Sequence, residues 1–137
     1  MSASVTEQPI ADSEWLARYI VRKEHVRPDG TVKPDPFIPF KWVELSVTRH
    51  LGLTEEQIWA AGDLVAWRMG KPLQGRADAV ASLYIRQRLR VVPAPEDDNP
   101  NHANVIDWPR DKQAQKEIAL ELVKEVRFKA KPEEMLR

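Results

Sequence analysis

Between Asn101 and Gln115 the chain sets a histidine, two asparagines, a tryptophan, a lysine and two glutamines within fifteen residues. Asn101-His102-Ala103-Asn104 runs through Val105, Ile106 and Asp107 to Trp108-Pro109, and then into the strongest helical pattern in the sequence. On a 3.6-residue wheel Ala114, Ile118, Ala119, Leu122, Val123 and Val126 share one apolar arc. Gln115 lies near the middle of that arc and Lys112 at its edge, where a helix serving only a core would carry apolar side chains. A helix N-terminus offers unpaired N–H groups and a partial positive charge, which suits phosphate or carboxylate. His102 and Asn104 before this helix, with Lys112 and Gln115 inside it, predict a polar pocket. Its expected ligand is a phosphate- or carboxylate-bearing small molecule or a nucleotide. Arg49 ends one predicted strand and Arg76 opens another, so both are candidates to converge there, with Asp78 to orient an arginine or a ligand hydroxyl. The competing reading is structural: Asn101 and Asn104 make turns, His102 packs, and Lys112 snorkels to solvent.

Other chemistries find less support. The chain has no cysteine, which excludes disulfides, thiol catalysis and cysteine-ligated zinc or iron–sulfur centres. His25, His50 and His102 are scattered without i,i+4 spacing, so no metal and no cofactor is expected. Acid–base catalysis by His102 needs a partner such as Glu44, Asp78 or Asp107, and spacing alone supplies none. The 21 basic and 21 acidic residues cancel, which removes a bulk electrostatic case for nucleic acid or a membrane surface. Arg86, Arg88 and Arg90 with Tyr84 form a small basic row, but Glu96, Asp97 and Asp98 follow closely, and nucleic acid is not an expected partner. The second reading is a protein-interaction module without chemistry. Trp59 and Trp67 fall on different sides of one predicted helix, and the proline-rich Pro28–Pro39 stretch has a composition suited to crossing a subunit boundary in a homo-oligomer.

The elements that must position these residues are those of one domain, since 137 residues suffice for a core without metal or disulfide staples. Residues 1–11 read as a flexible arm, 12–128 as the domain and 129–137 as a frayed tail. Trp15, Leu16, Tyr19 and Ile20 make one helical stripe, predicting a first helix from Asp12 to about Lys23. Arg27-Pro28-Asp29-Gly30 reads as a turn. The prolines from Pro28 to Pro39 predict extended chain, and Trp42–Thr48 alternates as a half-buried strand. Thr54 with Gln57 forms a capping box and Leu53 with Ile58 a staple, opening a helix that runs to Met69 and stops at Gly70. In that helix Ile58, Ala61, Val65 and Met69 face inward, Gly62 admits a close neighbour and Trp67 points away. Val80–Val92 is either one long strand or a short helix capped by Ser82 followed by a strand. Val105-Ile106 suggests a short strand. Pro109 suits the first position of the last helix, which extends to about Phe128. The fold class is α+β, about three helices on a small sheet. The first residues lack a basic segment leading into an apolar run, and no apolar stretch approaches the roughly 20 residues that span a bilayer. A cytoplasmic protein with no membrane partner is expected.

Glu44-Leu45-Ser46-Val47-Thr48-Arg49, Gly75-Arg76-Ala77-Asp78, and His102-Ala103-Asn104 followed by Trp108-Pro109, Lys112 and Gln115 together resemble a family of small, uncharacterised bacterial proteins. The resemblance covers Arg22 to Val126, and its last motif is the distinctive one. It implies a bacterial cytoplasmic protein with no activity to carry over. It also favours the broken reading after Ser82, and His50 lies outside the shared pattern.

Overall fold

Trp15–Ile20 forms a strand, β1, with a neighbouring strand on each side, and that central position explains its sequence. Leu16 and Ile20 enter one apolar cluster while Ala17 and Tyr19 enter another on the opposite face. The helix expected over Asp12–Lys23 is therefore replaced by a strand. A strand buried on both faces loses the apolar–polar alternation that would distinguish it, and its apolar residues happened to match helical spacing. The structure, a computed structural model, describes residues 7–39 and 43–132. Trp42, the expected start of the next strand, lies outside them.

Around β1 the sheet is built from β2 (Leu45–Arg49), β3 (Gly75–Val80), β4 (Arg90–Pro93), β5 (His102–Ile106) and β6 (Arg127–Ala130). Its order is β4-β5-β2-β1-β3-β6, and every neighbouring pair is antiparallel. The register sets Leu16 beside Arg49, Ala17 beside Thr48 and Asp78, and Tyr19 beside Arg76.

One helix, α1 (Glu55–Met69), covers the face that carries Ala17 and Tyr19. Thr54 and Gln57 close the capping box, and Gly70 ends the helix in the left-handed region at φ 67°. Gly62 is required by packing, since a Cβ there would lie 2.5 Å from Cε1 of Tyr19. Along the helix the cluster stops at Ala66, so Met69, expected inward, is 54% exposed in the final turn.

The other face is covered by α2 (Ala81–Arg86), α3 (Lys112–Val123) and the 3-10 turn Asp35–Phe37. Thus Val80–Val92 breaks into helix and strand, though Ser82 lies inside α2 and Val80 stands at its cap. Asp111 caps α3 by accepting from Ala114 N at 2.9 Å, so the helix opens at Lys112, three residues later than the expected start at Pro109. The helix ends at Val123 rather than near Phe128. The free edge of β3 recruits the following residues as β6, with Gly75 opposite Ala130 and Asp78 opposite Arg127. Tertiary pairing here overrides local helical pattern.

The class is α+β, with three helices on one six-stranded sheet among the described residues. Residues 1–6 of the expected arm are outside the described range, but Ile10 packs on the core. The sheet continues through Ala130 into the expected tail, and Lys131 N donates to Gln74 O at 3.0 Å. Residues 133–137 again lie outside the described range. Among the described residues no helix is long and apolar enough to cross a membrane.

Candidate functional site

Successive residues of a strand point to opposite faces, and at the end of β2 this separates two charged networks. Arg49, fully buried, shares a face with Leu16. Its Nε and Nη2 bind the two carboxylate oxygens of Glu14, the latter at 3.1 Å, and its Nη1 donates to Gln8 O at 2.9 Å. His50 turns the other way, and its Nε2 lies 3.2 Å from Oδ1 of Asp78.

Asp78 also accepts both of its carboxylate contacts from Arg76 Nε, at 3.0 and 3.1 Å. Arg76 Nη2 binds Glu55 at 2.8 and 2.9 Å, and the guanidinium stacks 4.6 Å from the centre of the Trp59 ring. The hydrogen bond from Arg76 holds the Glu55 carboxyl below its ordinary range. Burial opposes the Arg76 charge, but the bonds to Glu55 and Asp78 outweigh it and raise the pKa. Beside this network Tyr19 donates to Ile58 O at 2.5 Å, and burial pushes its phenol up. Two atoms in the interior, Arg76 Nη1 and Tyr84 OH, have no hydrogen-bond partner among the described residues.

The seven residues expected to form one pocket are distributed over the fold. Arg76 and Asp78 are joined directly, because two residues apart on a strand means the same face. Arg49 is on the opposite face. His102 and Asn104 share the α1 side of the sheet with Arg76 but stand on β5, separated from β3 by β2 and β1. His102 Nδ1 donates to Ala94 O at 2.9 Å, and Asn104 faces Ser46 and Val92 across the ladders. Gln115 is buried as its place on the arc predicts, and its Nε2 donates to Pro109 O at 2.7 Å. Lys112 is exposed. The start of α3 is thus closed by its own chain, through Asp111 and Gln115, and the two buried arginines already hold carboxylates.

Concavities lie elsewhere. A groove of about 260 Å³ runs between α1 and residues 98–101, with Leu53, Ala60, Leu64, Asp98 and Pro100 among its walls. Its loop wall is fixed from three sides. Asn99 Nδ2 donates to Thr48 Oγ1 at 3.1 Å, Asn101 Nδ2 to the carbonyls of Arg49 and Leu51 at 2.8 Å, and Arg68 pairs with Asp98 and Glu96. One turn beyond Leu64 stands Trp67, 77% exposed. A second cleft of about 230 Å³ is bordered by Trp15, Val80, Leu83, Arg86, Glu125 and Arg127. Arg127 lies 5.1 Å over the Trp15 ring with no carboxylate in ion-pair range among the described residues, while Arg86 pairs with Glu125 at 3.2 Å.

Sequence reasoning did not single out Glu14 or Glu55, because an ion pair formed 35 or 21 residues away depends on strand register. Among the described residues no group of three or more histidine and acidic side chains is placed to hold a metal ion. No family model, curated protein or solved structure matches the chain.

Proposed function

We propose that this chain is a protein-interaction module whose docking face is the outer side of α1. The observation that carries the reading is Trp67, a large aromatic 77% exposed one helical turn beyond Leu64, which lines a largely apolar groove. Exposed aromatics beside a groove mark interfaces, and tryptophan is among the residues that dominate binding energy. The occupant is a protein surface that offers an apolar ridge to the groove and charges opposed to those along the helix. Glu55 and Glu56 lie in the first turn of α1 and Arg68 in the last. No reaction is assigned to the chain under this reading. The test is a photo-crosslinking residue at position 67 of the full chain in its native cells, with one at Leu120, exposed on α3, as control. A discrete adduct from position 67 and none from position 120 is expected. Equal labelling at both positions, or no adduct at 67, overturns the reading.

An anionic small molecule is the second reading, favoured at the Trp15–Arg127 cleft because Arg127 has no carboxylate in ion-pair range among the described residues. Its chemistry is a phosphate, a carboxylate or a nucleotide. A thermal-shift series with phosphate, nucleotides and small carboxylates on wild type and Arg127→Ala checks it. A shift seen in wild type and lost in the variant supports this site, and equal behaviour of the two proteins removes it.

A further inference from the structure

We infer that the sheet face opposite α1 binds a small monocarboxylic acid in its interior, between Arg18 of β1 and Tyr84 of α2. The site is distinct from the α1 groove and from the Trp15–Arg127 cleft, and it stands whichever of those readings holds.

Strand parity puts Arg18 there. Leu16 and Ile20, two residues to either side, enter the larger apolar cluster, so Arg18 faces the same way. Its register neighbour Ala77 belongs to that cluster, as does Tyr84. The β1–β2 ladder stops at Ala17 and Thr48, whereas the β1–β3 ladder runs on to Ile20 and Gly75. Arg18 reaches into the resulting gap. Its Nη1 donates to Ser46 O at 3.0 Å and its Nε to Pro36 O at 2.8 Å. Both acceptors are neutral. Arg49 and Arg76, the two fully enclosed arginines of the sheet, each hold a carboxylate. Arg18 pairs with none among the described residues. Burial draws its pKa down, as expected for a guanidinium without a counter-charge.

Tyr84 is a second, independent observation. It is 0% exposed, and its hydroxyl has no hydrogen-bond partner among the described residues. A buried hydroxyl left unpaired is destabilising, which points to an acceptor that the chain itself does not supply. Burial pushes the phenol up, and the Arg18 charge is the first influence acting against that rise. The two groups are near enough to feel each other, yet no hydrogen bond joins them. An oxyanion between them satisfies both, accepting from the free N–H groups of Arg18 and from the Tyr84 hydroxyl.

Charge selects the ligand class. Arg18 brings one positive charge, while Arg49 on the same face is already joined to Glu14. A carboxylate balances that charge, whereas a dianionic phosphate would leave a buried negative charge without a partner. The flanking residues Leu16, Ile20 and Phe37 are each 0% exposed, so the rest of the acid is short and apolar. Arg18 itself is only half-buried, which leaves the position open to solvent.

The experiment is a thermal-shift series on the purified full chain with acetate, butyrate and benzoate, against butyramide and inorganic phosphate. Calorimetry then gives the affinity for the best carboxylate. Wild type is compared with Tyr84→Phe, Arg18→Met and Arg127→Ala. Wild type should melt higher with at least one carboxylate, and neither butyramide nor phosphate should reproduce the shift. Tyr84→Phe removes only the unpaired hydroxyl, so without ligand it should melt no lower than wild type. Its affinity should fall about tenfold or more, the loss of one hydrogen bond to a charged group. Arg18→Met should lose the response and Arg127→Ala should keep it. If Arg18→Met does not fold, Tyr84→Phe decides alone. No shift of wild type by any carboxylate, an equal shift by phosphate, or a Tyr84→Phe response equal to wild type overturns the inference. A Tyr84→Phe protein that melts lower without ligand also overturns it, because the hydroxyl then already serves the fold. Loss of the response in Arg127→Ala overturns it in favour of the cleft.

Discussion

Arg76 and Asp78 form an ion pair within a single strand, with Nε of the arginine 3.0 and 3.1 Å from the two carboxylate oxygens and both side chains buried. Their strand is second from the edge, so the pair lies under α1 with Trp59 stacked on the guanidinium. The aspartate is the member that cannot be replaced. Glu55 touches the same guanidinium but is 56% exposed, and water can stand in for it.

Asp78→Ala should therefore destabilise the protein by about 3–5 kcal/mol, because a buried arginine loses its compensating charge. Glu55→Gln should cost about 1 kcal/mol or less, as for a solvent-screened pair. Urea titration of both variants checks the ranking. Equal losses would mean that the network shares its charge differently from its geometry.

Glu55 also carries a pH signature. Its folded pKa lies below the ordinary 4.5, chiefly through the hydrogen bond from Arg76. A depressed carboxylate pKa contributes stability that is present above the unfolded value and lost as pH falls through the folded value. The stability of wild type should thus decline more steeply below pH 4.5 than that of Glu55→Gln. Chemical denaturation across the acid range reads the difference, and parallel acid limbs would contradict it.

Gly62→Ala reverses the usual helix preference. In an open helix the change gains about 1 kcal/mol. Here the new methyl would meet Tyr19 Cε1 at 2.5 Å and Cδ1 at 2.7 Å, and the tyrosine is anchored through its hydroxyl to Ile58 O. Overpacking of this kind costs about 1–3 kcal/mol, so a lower melting temperature is expected. A rise in melting temperature would show that the helix shifts freely over β1.

Gln115→Leu tests the polar residue on the apolar arc of α3. Its amide closes the Pro109 carbonyl at 2.7 Å, and leucine would leave that acceptor unpaired. A loss of about 1–3 kcal/mol is expected, with no change in response to anions. A variant as stable as wild type would place the Pro109 carbonyl in contact with water.

Local signals were the legible ones. The capping box at Thr54, the stop at Gly70 and the turn ending at Gly30 each depend on residues adjacent in the chain, and each forms as read. Gln115 was correctly placed inward, although Lys112 three residues before it is exposed. What stayed hidden was set by pairing at a distance. The sequence Trp15–Ile20 shows no alternation because helices cover the sheet on both faces at that strand. Arg127–Ala130 carries two cations in four residues and becomes a strand only because β3 has an open edge. Arg49 and Arg76 stood out by residue type, but strand parity sends them to opposite faces. That parity depends on the register of β2 and β3 against β1, which no short motif encodes.

The central place of β1 sets an order of events during synthesis. It leaves the ribosome before β2 to β6, yet its two hydrogen-bonding edges are taken by β2 and β3, and the outer edge of β3 is closed only by β6. A nascent chain that has not yet released Arg127–Ala130 therefore presents β3 as an open strand edge. The half-made sheet is the state in which this chain most needs protection, and release of β6 is the moment at which the β3 edge is covered.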